Sequence, residues 1–229
     1  MPGTAGSPDA EGAPGTGAPG AALRRGCEAL GLDLDDRRRA LLLDYLVLLD
    51  TWNRAYNLTA VRDRAQMIPR HLLDSLAVAP FLSGERLIDV GTGAGLPGIP
   101  LGILCPGRQF HLLDSSGKRT RFLFQVKTAL RLDNIVVHRA RVETFRPAEA
   151  YDVVLSRAFA SLPEMVAACN HLLRPGGRFL AMKGQYPAGE IAAVGEQCDV
   201  LAVHPLDVPG LEGERHLVEM VMRQHAQKQ

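Results

Sequence analysis

One heptapeptide limits what this chain can fold into more than any other stretch: Asp89-Val90-Gly91-Thr92-Gly93-Ala94-Gly95, which follows the apolar pair Leu87-Ile88. Three glycines at alternate positions after a short apolar strand let the backbone turn sharply into a helix. They also let a ligand approach the main chain where a β-carbon would block it. In an open, mostly parallel sheet, such a turn lies at the carboxyl end of a strand, which is where these folds bind their ligands. The spacing is G-x-G-x-G with Leu at position 96, not the G-x-G-x-x-G of dinucleotide-binding folds, and no G-K-[ST] phosphate cradle is present.

The remainder of the chain supplies the sheet that this turn requires. From residue 86 onward, short β-rich runs alternate with helical ones, with strands expected at 86–90, 109–114, 134–138, 151–156, 178–183, 200–204 and 216–222. Helices are expected at 98–104, 118–130 and 162–173, the last stopped by Pro175-Gly176-Gly177. Alternation of this kind means β-α-β crossovers, so the expected class is α/β: a Rossmann-like, seven-stranded, mostly parallel sheet. The last two strands have only a short connection and should form an antiparallel edge pair. Ahead of the sheet, Leu42, Leu46, Leu49 and Trp52 recur at helical spacing, and an apolar stretch follows from Met67 to Phe81. The reading is a disordered leader over 1–22, a helical cap over 23–84 and a ligand-binding core over 85–229.

The leader is expected to be disordered because Gly, Ala, Pro, Ser and Thr cannot bury enough apolar surface to offset the entropy of ordering. It carries no basic segment followed by an apolar one, and no later run is long enough to span a bilayer, so a cytoplasmic protein is expected. Cys27, Cys105, Cys169 and Cys198 are widely spaced and form no C-x-x-C pair, which argues for reduced structural thiols and against a zinc site; no metal is expected.

Asp114 ends the strand after the glycine loop, in Leu112-Leu113-Asp114-Ser115, where a carboxylate can accept hydrogen bonds from a ribose diol. Both adenosyl cofactors and NAD carry such a diol. Val142-Glu143 and Ser156-Arg157-Ala158 follow later strands on the same rim. Taken alone, Glu143 reads as a solvated carboxylate, whereas Arg157 comes one residue after the apolar Val153-Val154-Leu155 and so is expected to point from a strand end into the crevice.

Several runs in one order carry a resemblance covering about residues 41 to 221: Trp52-Asn53 with Tyr56-Asn57-Leu58-Thr59, Arg70-His71 followed by Leu73-Asp74-Ser75, DVGTGAGLPGIP over 89–100, Leu112 to Ser115 with Gly117-Lys118-Arg119, SRAFAS over 156–161, Lys183-Gly184-Gln185, and Gly213-Glu214-Arg215-His216. In these the chain resembles the bacterial small-subunit ribosomal RNA guanine-N7 methyltransferases of the RsmG (GidB) family. The resemblance implies a class I methyltransferase fold, S-adenosylmethionine as methyl donor, and 16S ribosomal RNA or the small ribosomal subunit as partner, with the methyl going to N7 of a guanine in the decoding region. It also implies cofactor contacts at Gly91, Leu96, Val142, Glu143 and Arg157. With the loop and the strand end, the cofactor-binding candidates are Asp89, Gly91, Gly93, Gly95, Leu96, Asp114, Ser115, Val142, Glu143 and Arg157.

The chemistry agrees with that resemblance. Guanine N7 has an in-plane lone pair and needs no deprotonation, so alignment and charge accommodation suffice and no catalytic acid–base residue is expected. Amino-group methylation commonly leaves an Asn- or Asp-Pro-Pro-aromatic run where this chain has Ser156-Arg157-Ala158-Phe159, and cytosine-C5 chemistry needs a thiolate where Cys169 lies in an expected helix. The whole chain is nearly neutral at +1, yet between residues 118 and 146 eight cations face only Asp133 and Glu143, a local balance of +6. Lys118, Arg119, Arg121, Arg157 and Lys183 are the RNA-binding candidates, on a chain expected to be a monomer with no membrane partner. The rival readings are methylation of another RNA, a small molecule or a protein, a non-catalytic ribosome-assembly factor, and a nicotinamide oxidoreductase. Binding of S-adenosylmethionine separates an enzyme from the assembly factor, nicotinamide binding would mark the oxidoreductase, and the Arg157 and Lys183 rim with the family motifs argues against a small-molecule or protein substrate.

Overall fold

The computed structural model describes residues 17–223 apart from 158, 160 and 196; the disorder expected over 1–16 lies outside these residues. The seven strands are β1 (Arg86–Val90), β2 (Gln109–Asp114), β3 (Ile135–Arg139), β4 (Tyr151–Ser156), β5 (Leu173–Lys183), β6 (Cys198–Pro205) and β7 (His216–Met222). They form one sheet in the order β3-β2-β1-β4-β5-β7-β6, parallel except where β7 runs antiparallel to β5 and β6. The strands alternate between two buried faces. Leu87, Leu112, Val153 and Leu155 face one core, while Ile88, Val90, Leu113 and Val154 face the other, which is why the strands read as nearly continuous apolar runs.

The second core is closed by α7 (Leu162–Cys169) and α8 (Ala188–Val194). The first is closed by α5 (Gly98–Leu104) and α6 (Gly117–Leu130) together with the N-terminal helices: α1 (Ala18–Ala29), α2 (Asp36–Tyr56), and a helical run of α3 (Arg64–Met67), a π-helical stretch (Ile68–Leu73) and α4 (Asp74–Leu76). Asp35 starts α2 by accepting from the Arg38 amide at 2.7 Å, and Asn57 ends it in the left-handed conformation, φ 49°. Tyr45 and Leu49 on α2 are fully buried against the α5–α6 side, with the Tyr45 ring 6.4 Å from that of Phe122. Full burial of each such side chain contributes roughly 1.5–3 kcal/mol. The helices before residue 85 therefore share the core of the sheet.

Three expectations are corrected. The leader expected to be disordered to residue 22 ends sooner, because α1 begins at Ala18. Averaged composition concealed that Pro19 stands in the first helical turn, where its missing N–H is harmless. It also concealed that Leu23 and Cys27, four residues apart, are buried. A β-carbon on Gly26 would meet Leu73 at 2.3 Å, so only glycine lets α1 approach that closely. The helix expected over 162–173 stops at Cys169 and is followed by a single 3-10 turn. Pro175-Gly176-Gly177 falls inside β5, as an excursion between the Leu173–Tyr151 pair and the ladder that resumes at Arg178–Val153.

The site is positioned by topology. From β1 the chain builds outward to β2 and β3 on one side, and from β4 to β5 on the other. The carboxyl ends of β1 and β4 thus flank the point where strand order reverses, and the glycine loop and Arg157 emerge there.

Candidate active site

After Val90 the chain turns through Gly91, Gly93 and Gly95, all with positive φ (68°, 61° and 93°). A β-carbon on Gly91 would meet nothing within 4 Å, and one on Gly93 only the Gly91 carbonyl at 3.9 Å, so both positions border open space. Gly95 differs: a β-carbon there would be 2.5 Å from Ile99 and 2.9 Å from Leu123. Its hydrogens face the core, and it lets the loop seat on α5 and α6. Asp89 also turns away from the cleft. It is 1% exposed, and its Oδ2 accepts from the Thr92 hydroxyl at 2.7 Å and the Gly98 amide at 2.9 Å. Burial pushes its carboxyl up to about 6, against the bonds from Thr92 and Gly98. The strand alternation that sends Leu87 into the first core sends Asp89 the same way, so Asp89 and Gly95 hold the loop from behind and do not line the cleft.

Asp114, at the end of β2, braces the loop from the other side. Its Oδ2 accepts from the Gly93 amide at 3.0 Å and from Arg119 Nη1 at 3.3 Å, and its Oδ1 from the Ser116 amide at 2.8 Å. Three donors leave this carboxylate room for another, since two oxygens offer about four acceptor places. Asp114, Ser115, Val142 and Glu143 line a recess of about 190 Å³. Next to it lies a cavity of about 520 Å³ walled by Leu58, Thr59, Gly93, Leu96 and Arg157. The two share Gly91, Arg119 and Phe159 and form one cleft along the loop.

Arg157 connects that cleft with a third cavity of about 320 Å³, which Arg70, His71, Asp74, Lys183 and Arg215 also line. Arg157 Nη1 donates to the Arg70 carbonyl at 3.2 Å and to Asp74 Oδ2 at 3.3 Å. Arg215 Nε stands 3.3 Å from Asp74 Oδ1, close enough for an ion pair although not aligned as a hydrogen bond. Burial pushes the Asp74 carboxyl above its usual value, and the two guanidiniums pull against it. His71 Nε2 meets the Thr59 hydroxyl at 2.9 Å and its Nδ1 has no partner. Burial, reinforced by Arg157, lowers this imidazole to about 4, so it is neutral at pH 7. The N-terminal helices also touch the glycine loop directly, because the Tyr45 hydroxyl donates to the Ala94 carbonyl at 2.8 Å.

Of the cofactor-binding candidates, Gly91, Gly93, Leu96, Asp114, Ser115, Val142, Glu143 and Arg157 come together on this cleft, and Asp89 and Gly95 do not. The basic candidates divide. Arg119 belongs to the cleft through Asp114. Lys118 Nζ donates to the Tyr56 carbonyl at 3.2 Å at the junction of α2 and α6, and Arg121 is exposed on α6. Lys183 Nζ lies 2.8 Å from Glu190, which also accepts from the Leu162 amide. Sequence reasoning assigned no role to Asp74, Arg215, Thr59 or Tyr45. The first three stood within runs quoted for the resemblance, but nothing local indicated that they meet. Cys169 is buried at the end of α7 with its thiol pushed up to about 12 by burial, far from a ready nucleophile.

These residues fit an adenosyl sulfonium ligand: two glycine positions open to the cleft, a strand-end carboxylate for a diol, and apolar Val142 and Leu96 along the walls. Among the described residues no cluster has the composition of a metal site, and no helix is long and apolar enough to cross a membrane. Solved structures share the fold. They include the glycopeptide N-methyltransferase MtfA complexed with S-adenosyl-L-methionine (TM-score 0.57, 15% identity, 67% of this chain and 88% of that one). The CcbJ methyltransferase from Streptomyces caelestis is similar (TM-score 0.56, 14% identity, 68% and 90%). The ribosomal RNA small subunit methyltransferase G of Saccharophagus degradans is 52% identical over 204 residues, covering 89% of this chain and 92% of that protein. The protein of the same name from Escherichia fergusonii is 55% identical over 188 residues, covering 82% and 91%. Residues 38–218 match the GidB family, rRNA small subunit methyltransferase G. With its glycine loop, its strand-end carboxylate and identity above one half to such relatives, this chain belongs to the rRNA small subunit methyltransferase G family of S-adenosylmethionine-dependent class I methyltransferases.

Proposed function

We propose that this protein transfers a methyl group from S-adenosylmethionine to N7 of a guanine in 16S ribosomal RNA, in the decoding region of the small subunit. The observation that carries this reading is the continuity of the loop cleft with the arginine-lined cavity through Arg157. A donor held along the glycine loop and an anionic strand held by Arg157 and Arg215 meet at that residue. Gly91, Gly93, Leu96, Asp114, Ser115, Val142, Glu143 and, at the junction, Arg157 would hold the cofactor, which supplies an electrophilic methyl on sulfur.

The chain's own part is to align and to accommodate charge. N7 attacks with a lone pair it already possesses, so no side chain has to remove a proton. The groups nearest the junction agree with that demand: His71 is neutral and tied to Thr59, and Asp74 is occupied by two arginines. The helices over 23–84, read as the cap, form the acceptor-side wall through Thr59, Arg70, His71 and Asp74. Lys118 and Arg121 on α6 extend the cationic surface toward flanking phosphates, a contribution that weakens with salt. On this reading the protein works in the cytoplasm as a monomer, on 16S ribosomal RNA or the small subunit.

Purified protein, labelled S-adenosylmethionine and unmethylated small subunits test the proposal. The product RNA is reduced with borohydride and treated with aniline, which cleaves at N7-methylguanine. A single aniline-sensitive site is expected. Label in RNA without such cleavage would leave a methyltransferase of other chemistry, and no label in RNA would remove the substrate assignment.

A further inference from the structure

Asp74 is a buried acid whose two partners are not buried. Its side chain is 6% exposed, whereas those of Arg157 and Arg215 are 27% and 30% exposed and line the cavity next to the methyl-transfer cleft. The three residues come from distant parts of the chain: α4, the end of β4 and the segment entering β7. Sealing a carboxylate from water is costly, and replacing a buried ion-pair cluster as a whole by apolar residues of similar volume is often neutral or stabilising. Stability alone is therefore a weak reason for this carboxylate.

What Asp74 does supply is geometry. Arg157 spends Nη1 on Asp74 and the Arg70 carbonyl, which leaves Nε and Nη2 without partners among the described residues. Arg215 faces Asp74 with Nε as an ion pair and donates Nη1 to the Glu214 carbonyl, which leaves Nη2 without a partner among the described residues. One acid thus fixes two guanidiniums beside each other and leaves unused donors on both. The charges of Arg157, Arg215 and Asp74 sum to +1, Lys183 is offset by Glu190 at 2.8 Å, and Arg70, whose Nε meets neutral Gln66, adds one more positive charge to the cavity. A phosphodiester carries one negative charge and accepts from guanidinium forks in this manner. We infer that Asp74 is a positioning residue that holds Arg157 and Arg215 as a pair on one phosphodiester of the acceptor strand. The inference rests on the RNA methyltransferase reading above.

The test is a double-mutant cycle in the full chain with Asp74→Asn, Arg215→Gln and the double variant, assayed on unmethylated small subunits. Asp74→Asn should raise KM for the particle about tenfold or more, change kcat less than about threefold and lower S-adenosylmethionine affinity by clearly less than the rise in KM, since Arg157 also borders the cofactor cleft. In the Arg215→Gln background the same change should add clearly less than it does alone, because one of the two residues it positions is already gone. Additive effects, an unmoved KM, or an equal loss of cofactor affinity would overturn the inference. Arg215→Lys, which keeps the charge and the fold but loses the fork, guards against an Asp74 variant that does not fold. It should reproduce the KM defect, and a wild-type KM would overturn the inference as well. If the wild-type protein binds S-adenosylmethionine yet methylates no particle, the function reading fails and takes the inference with it. An active wild type with an unmoved Asp74→Asn KM sinks the inference alone.

Discussion

The two ends of the cleft are built by different means. The cofactor end is mostly backbone: a loop of seven residues, 89–95, with open space at two glycines and a carboxylate from the next strand accepting one of its amides. The acceptor end is side chain, with Arg70, His71 and Asp74 from the N-terminal helices, Arg157 and Lys183 from the ends of β4 and β5, and Arg215 from the approach to β7. The first is specified by a local run of sequence and tolerates few substitutions. The second depends on the packing of the helices against the sheet, and each of its members is replaceable at moderate cost. Damage at one end should therefore look different from damage at the other.

The largest effect is expected from Gly93→Val, which should weaken S-adenosylmethionine binding by roughly 100-fold or more, measured by calorimetry. With φ at 61° a β-branched residue is also strained by about 1–2 kcal/mol, so Gly93→Ala serves as the milder control. Normal cofactor affinity in both variants would break the backbone account of this end. Asp114→Asn comes next, because hydrogen bonds to a charged acceptor contribute roughly 1.5–3 kcal/mol. Cofactor affinity should fall by about 10- to 100-fold, while KM for the particle stays within about threefold; equal losses in both would erase the distinction between the ends.

An intermediate effect concerns pH. His71 at the acceptor end and His111 in the sheet both have pKa values lowered to about 4 by burial, so the folded state holds them neutral. Their stabilising share is complete above 6.5 and is lost as pH falls from 6.5 toward 4, at about 1.4 kcal/mol per unit for each. Asp89 runs the other way. Its raised carboxyl takes a proton in the folded state near pH 6, which returns part of that loss. Asp74, also raised by burial, acts with Asp89, and His138, also lowered by burial, acts with the other two imidazoles; three imidazoles outweigh two carboxyls, so urea stability should be lower at pH 5 than at pH 7. His71→Asn should flatten the slope, and an unchanged slope would remove His71 from this account. The smallest effect is expected from Tyr45→Phe, which leaves the Ala94 carbonyl without its donor. About 1 kcal/mol of stability should go, and cofactor affinity should fall only a few-fold.

The same contrast explains what the sequence disclosed. The glycine loop, Asp114 and the strand ends at Val142 and Arg157 were legible because strand periodicity and turn chemistry are local. Four strand spans, 86–90, 109–114, 151–156 and 216–222, came out at their observed bounds for the same reason. The direction in which Asp89 and Gly95 face was not legible, since a motif gives the order of residues and not which side packs against α5 and α6. The Asp74 pairing with Arg157 and Arg215 was hidden by sequence distance. Ordered structure from Ala18 was hidden because composition averages over a window in which only Leu23 and Cys27 mattered.

The hydrogen bond from Tyr45 to the Ala94 carbonyl, within a core common to α2 and the sheet, has a further consequence. A ligand that binds the folded loop should also stabilise the helix packed against it, because the two share one hydrophobic core. Adding S-adenosylmethionine should therefore slow amide hydrogen exchange along α2 as well as in the glycine loop, and the N-terminal helices would report cofactor occupancy without touching the cofactor.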